Sequence, residues 1–207
     1  MAALFAMTDA PAVRERLLVL SVRAFAAPPS SNDIVVHVEK DGVTFLVDAE
    51  LSIAAKVEEV WDVLTDFDHM AQILSNVDAS KVVNRDGDRF EVAQKSHANA
   101  GPLRLTLDSV RQVELSPKHE IRSHLLKGDL KSSDFTTRIA EQGGLTMVNV
   151  HGAFVPGGLA AAAITVEAVQ AQTQRQYLEL RDEVLRRKNH EAPPPCLLTK
   201  NCAQGSS

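Results

Sequence analysis

Aromatic side chains are scarce in this chain: seven Phe, one Tyr and one Trp make up 4% of 207 residues. A nucleic-acid-binding surface needs such rings to stack on bases, or a block of basic residues to meet phosphate. The chain has neither, because its 27 acidic and 22 basic residues are interspersed and leave a net charge of −5. A nucleic-acid partner is not expected. Cysteine is rarer still. Cys196 and Cys202 both follow Pro193-Pro194-Pro195, too late to staple a core, and two thiols fall short of the four ligands of a structural zinc site. They read as features of the tail. Long apolar runs are also missing, since Leu17 to Val22 and Leu159 to Ile164 stop well short of the ~20 residues that span a bilayer. The expected membrane contact is therefore transient at most. No metalloprotease helix, nucleophile elbow, phosphate-binding glycine loop or dinucleotide fingerprint occurs, and no cofactor is expected.

What the chain does have is a long amphipathic helix near its end, expected from Leu159 to about Lys188. Val166, Val169, Thr173, Tyr177, Leu180 and Val184 recur at spacings of three and four, which places them on one face. Arg175, Glu179, Arg181, Asp182, Glu183, Arg186 and Arg187 fall on the other and are expected to face water. A helix ~45 Å long needs an extended partner surface. Ala160, Ala161, Ala162, Ala163, Ala168 and Ala171 are small, so the first half of the helix is expected to leave space beneath a curved sheet.

The partner surface is written in a period of two. Ile34 to Glu39 and Val43 to Ser52 alternate around the turn Lys40-Asp41-Gly42, the signature of a hairpin with one buried face. Val57, Val60, Trp61 and Leu64 then switch to a helical stripe, and Asp66 or Asp68 is placed to cap a second short helix. From Ser80 to Phe154, strand-like runs separated by Asp86-Gly87-Asp88, Ala100-Gly101-Pro102, Ser116-Pro117-Lys118, Gly128-Asp129 and Gln142-Gly143-Gly144 predict an antiparallel meander. About seven strands make a sheet ~30 Å wide that can curl around the helix. The expected fold is α+β.

Both ends read differently from the middle. Arg14 and Arg16 precede an apolar Leu17 to Val22, and Ala24-Phe25-Ala26 then offers an A-x-A site, the order of a secretory signal. The apolar run is short for one, and Arg23 interrupts it. Residues 1–33 are expected to be a leader or signal-like segment, with a periplasmic or secreted location favoured over the cytoplasm. Residues 189–207 read as a Pro-rich polar tail, expected to be disordered.

The stretch Val60-Trp61-Asp62-Val63-Leu64-Thr65-Asp66-Phe67-Asp68-His69-Met70, followed by Ser75-Asn76-Val77, resembles the first-helix signature of the START-like, or polyketide cyclase/dehydrase, superfamily. More narrowly it is similar to the bacterial coenzyme Q-binding START-like branch, in which secretory leaders are common. The resemblance runs from about Ile34 to Lys188 and takes in Gly128-Asp129, Gly143-Gly144 and Val155-Pro156. Ser132-Ser133-Asp134-Phe135 departs from it in lacking the Gly and Trp of that strand. The resemblance implies a helix-grip domain, residues 34–188, enclosing an apolar cavity.

Two classes of function follow. The first is a non-enzymatic carrier of a hydrophobic small molecule such as a lipid, an isoprenoid or a quinone. Alternation and helical phase point Val92, Leu105, Leu107, Phe135, Ile164, Val169 and Thr173 inward as pocket-lining residues, while Trp61 and Phe67 read as scaffold. The alternative is a cyclase or dehydratase, which needs an inward titratable group with a partner, such as His151 or Asp134 with Arg138. By default Asp134, Arg138, Asn149, His151 and Glu91 are solvated. His97, His124 and His151 fall on non-neighbouring strands and are not expected to share a metal. A packed domain that binds another protein through its surface or tail is a third, structural reading.

Overall fold

The computed structural model describes residues 33–100, 103–158 and 164–191. Residues 1–32 of the expected leader, the small residues at 160–163 and the tail from residue 192 with both cysteines lie outside these, while residues 189–191, expected as disordered tail, complete the last helix. The elements run β1 (Ile34–Asp41), β2 (Thr44–Ile53), α1 (Val57–Leu64), a 3-10 turn (Phe67–His69), α2 (Met70–Ile73), β3 (Val77–Asp86), β4 (Arg89–Ala100), β5 (Leu103–Ser116), β6 (Glu120–Gly128), β7 (Ser132–Gln142), β8 (Leu145–Val155) and α3 (Val166–Glu191). This is the expected α+β architecture, with one curved antiparallel sheet of eight strands, in the order β1-β2-β8-β7-β6-β5-β4-β3. The N-terminal hairpin joins the meander by pairing β2 with β8, Phe45 opposite Phe154 and Leu51 opposite Val148.

Residues directly opposite each other across a ladder share a face, so the register carries the inward face from strand to strand. Phe45, Val47, Ala49 and Leu51 are buried and oppose Phe154, Gly152, Val150 and Val148. These in turn oppose Ser133, Phe135, Thr137 and Ile139 of β7. Phe45 stacks on Phe154 at 5.1 Å between ring centroids. The main core lies here, where β1, β2 and β8 meet α1 and the C-terminal half of α3 through Val60, Val63, Leu180 and Val184.

Local chemistry fixes the helices. The backbone N–H of Lys56 donates to Glu59 Oε2 at 2.6 Å, closing the first turn of α1. Thr165 does the same for α3 by accepting from the Ala168 N–H at 3.2 Å. The expected cap at Asp66 or Asp68 is not made. Asp68 accepts instead from the backbone N–H of Val82, and Asp66 pairs with His69 Nδ1 at 2.6 Å and with Arg187 Nη2 at 2.7 Å.

That last contact corrects the expectation for the polar face of α3. Glu179 accepts from the backbone N–H of Ser75, Glu183 holds both Arg186 and Arg187 at 2.7 Å, and Lys188 donates to the carbonyl of Ala54. These side chains clamp the helix onto the short-helix segment rather than simply facing water. Ala171 is exposed, so it does not add to the space beneath the helix.

Hydrogen bonds from Arg186 and Arg187 hold the Glu183 carboxyl down at about 2, against an ordinary 4.5. A depressed carboxylate pKa contributes stability that is complete above 4.5 and is lost as pH falls towards 2. Arg186 is 57% exposed, so solvent screens the pair and the contribution is about 1 kcal/mol. Glu183→Gln should lower stability by this amount at pH 7 in chemical denaturation, with the difference from the parent vanishing as pH approaches 2.

Candidate functional site

Helix α3 packs against β1 and α1 and, more lightly, against β2, β4 and α2. At the other end of the sheet Trp61, Leu64 and Phe67 cover a second small cluster, Val92, Val113 and Ile121. The interior is therefore packed at two ends. Between them lie inward side chains that are only half-buried.

The register shows which they are. Val113 opposes Phe90 and Ser123, and Arg111 opposes Val92 and Leu125. Leu105 and Leu107 oppose Ala98 and Ser96, and Phe135 opposes Ser123 and Gly152. Leu105, Leu107 and Phe135 are inward and half-buried, as are Ile164, Val169 and Thr173 from the chain leading into α3 and its first turns. Phe135, Ile164 and Val169 pack against the main core. Val92 is set apart from the other six, only 3% exposed in the cluster beneath the short helices.

Gly152 makes room for Phe135. A Cβ at Gly152 would stand 2.2 Å from the Phe135 ring and 2.6 Å from the Asp134 carbonyl oxygen, so the aromatic side chain lies directly over bare backbone.

The sequence reading passed over Arg111 although its register position is inward. Its Nη2 donates to Ser133 Oγ at 2.7 Å and its Nη1 to Ser123 Oγ at 3.4 Å. The guanidinium carbon lies 5.9 Å from the centroid of Phe135. Its Nε is inaccessible and has no partner. On the helix side, Gln172 Nε2 is likewise buried without a partner, and Gln176 donates to Asn76 Oδ1. Arg111 and Tyr177 are hemmed in by protein on nearly every side yet each keeps some accessible surface. Burial lowers the Arg111 pKa and raises that of Tyr177, in each case against the charged form. The carboxylate that Arg111 feels through space, Asp134, neighbours Phe135 on the opposite face of β7.

The polar residues weighed as catalytic candidates all point outward. Asp134 pairs with His124 Nδ1 at 2.5 Å, Arg138 with Glu120 at 2.9 Å and His151 with Asp48 at 2.7 Å, and each is more than half exposed. Glu91 accepts from Asn84, and Asn149 is exposed. His97 meets Asp78 at 3.1 Å, beside Arg104. The three histidines thus have three separate carboxylate partners. Two grooves of about 440 and 710 Å³ also open on the outer face, the first along Glu114, Arg122, Asp134 and His151, the second along Lys81, Lys95 and Lys127. Among the described residues, no helix is long and apolar enough to cross a membrane.

An antiparallel sheet curled around a C-terminal helix, with half-packed interior strands, defines a helix-grip protein. The chain belongs to the family described as polyketide cyclase / dehydrase and lipid transport, whose model matches residues 44–184. Solved structures share the fold at low identity. A STAR-related lipid transfer protein from Xanthomonas axonopodis is 15% identical with a TM-score of 0.61, the match covering 77% of this chain and 97% of that one. The Zhui aromatase/cyclase from a Streptomyces species is 16% identical with a TM-score of 0.58, covering 73% and 97%. A START superfamily protein from Mycobacterium smegmatis is 14% identical with a TM-score of 0.56, covering 71% and 99%. No curated protein sequence matches.

Gly152→Ala tests the packing of Phe135 over the sheet. The added methyl must displace the ring, and such overpacking costs about 1–3 kcal/mol. A fall in stability of that size in urea denaturation is expected for Gly152→Ala alone, and adding Phe135→Ala, which removes the ring but not the close approach to the Asp134 carbonyl, should recover only part of it.

Proposed function

We propose that the protein binds and carries a hydrophobic small molecule, lipid-like or isoprenoid, in the space between α3 and strands β5 to β7. The observation that carries this reading is the division of the interior. Val47, Leu51, Val60 and Val184 are buried to within 2% of fully, while Leu105, Leu107, Phe135, Ile164, Val169 and Thr173 face the same interior and remain half-buried. Apolar side chains left partly open inside a fold give up part of the ~25 cal/mol per Å² that burial would supply, and an apolar ligand recovers it. In this reading those six residues line the pocket and Val92 belongs to the packed end that closes it. Family membership supports the class of ligand, since the family description joins lipid transport with cyclases, and two of the similar structures are a lipid transfer protein and an aromatase/cyclase.

Native mass spectrometry of the protein purified from its own source should show an added apolar molecule. Ile164→Trp, which fills the pocket from the start of α3, should cut that occupancy at least several-fold while the fold is retained. Absence of any adduct, together with an Ile164→Trp protein indistinguishable from the parent, would overturn the carrier reading.

A further inference from the structure

Arg111 is the feature that a purely apolar cargo does not explain. A guanidinium offers five N–H donors, and within the described residues two are taken, by the hydroxyls of Ser133 and Ser123. Nε is buried with nothing to bond. Among the described residues the carboxylate that acts on this charge is Asp134, which lies on the other face of the sheet paired with His124. Burying a charge without a counter-ion is among the more expensive arrangements a fold can hold. It persists where something outside the chain supplies the missing partner. On α3, Gln172 Nε2 is the other buried side-chain polar atom without a partner among the described residues, and the Tyr177 hydroxyl acts on the Arg111 charge through space. Both buried side-chain polar atoms left unsatisfied among the described residues, Arg111 Nε and Gln172 Nε2, are donors, so the complementary group is an acceptor, and the positive charge of Arg111 makes it an anionic one.

Resting on the carrier reading, we infer that the ligand is an amphiphile whose head is a carboxylate, bound by Arg111 with its apolar chain along Leu105, Leu107, Phe135 and Val169. The guanidinium fork matches the planar, two-oxygen geometry of a carboxylate, and the single buried charge balances a single negative one. A neutral quinone or ester would accept a hydrogen bond but leave the charge uncompensated. Buried polar groups that lose their intended partner discriminate strongly against the analogue that lacks it.

The test compares cis-parinaric acid, a fluorescent long-chain carboxylic acid, with its methyl ester, titrated at neutral pH against the full-length protein stripped of bound lipid. The acid is expected to bind at least ten-fold more tightly than the ester. Arg111→Met should abolish that preference by weakening the acid far more than the ester, and Arg111→Lys should keep part of it. Thermal melting of ligand-free Arg111→Met supplies a readout independent of binding. Because the charge is uncompensated, removing it should leave the melting temperature unchanged or raise it, whereas a merely structural arginine would lower it. Equal affinity for acid and ester in the parent protein, or a preference that survives in Arg111→Met, overturns the carboxylate inference and leaves the carrier standing. Failure of both acid and ester to bind overturns the two together.

Discussion

One helix cannot cover eight strands. Seven inter-strand spacings of ~4.8 Å make a sheet ~34 Å across, whereas an α-helix with its side chains is ~10–12 Å wide. Helix α3 must therefore choose where to pack, and it packs towards β1, β2 and α1, where Leu180 and Val184 complete the main core. The opposite end of the sheet is closed by other means: the short helices place Trp61 and Phe67 over Val92, Val113 and Ile121, with Phe67 tilted against Phe90 at 5.8 Å. What neither lid reaches is the middle of the inward face. The candidate site is thus a consequence of the mismatch between helix width and sheet width, and its place in the fold follows from which strands each lid covers.

The same mismatch explains where the polar contacts of α3 go. A helix that meets the sheet along one flank needs to be held at its other points of contact, and charged side chains do this by reaching the connection between α2 and β3 and the end of β2. Glu179 to the Ser75 N–H, Arg187 to Asp66 and Lys188 to the Ala54 carbonyl bind residues more than a hundred positions away. They fix where the helix sits relative to the short helices and the end of β2.

How much of this was legible in the sequence depends on how local the controlling interaction is. Lys40-Asp41-Gly42, the alternation of Phe45 to Leu51 and the stripe Val57, Val60, Trp61, Leu64 depend on neighbours a few positions away, and each marks its element correctly. Asp66 shows the limit. Its composition and place suit a helix cap, but Arg187, 121 residues on, takes the carboxylate instead. Arg111 is a different kind of omission. Alternation through Leu105, Leu107 and Val113 puts it inward, and the signal was present in the strand itself. The rule that charged residues face water overrode it, and a residue that violates such a rule is where a function is most readily found.

The chemistry of the interior also bears on whether the gap holds a molecule or transforms one. At the inward positions from Leu105 to Leu115, Ile121 to Leu125 and Ser133 to Ile139, the one titratable side chain is Arg111, and the Tyr177 hydroxyl of α3 acts on it through space. A general acid or base works best when its pKa lies near the working pH. Arginine, even with its pKa lowered by burial, stays protonated near neutrality, and burial drives the Tyr177 hydroxyl further from neutrality rather than towards it. Both groups therefore hold their protons and can donate hydrogen bonds without passing a proton on. The two histidine–carboxylate pairs, His124 with Asp134 and His151 with Asp48, lie on the outer face of the sheet. Among these described positions, the side chains that face the interior can neutralise a charge and orient an oxygen by donating hydrogen bonds.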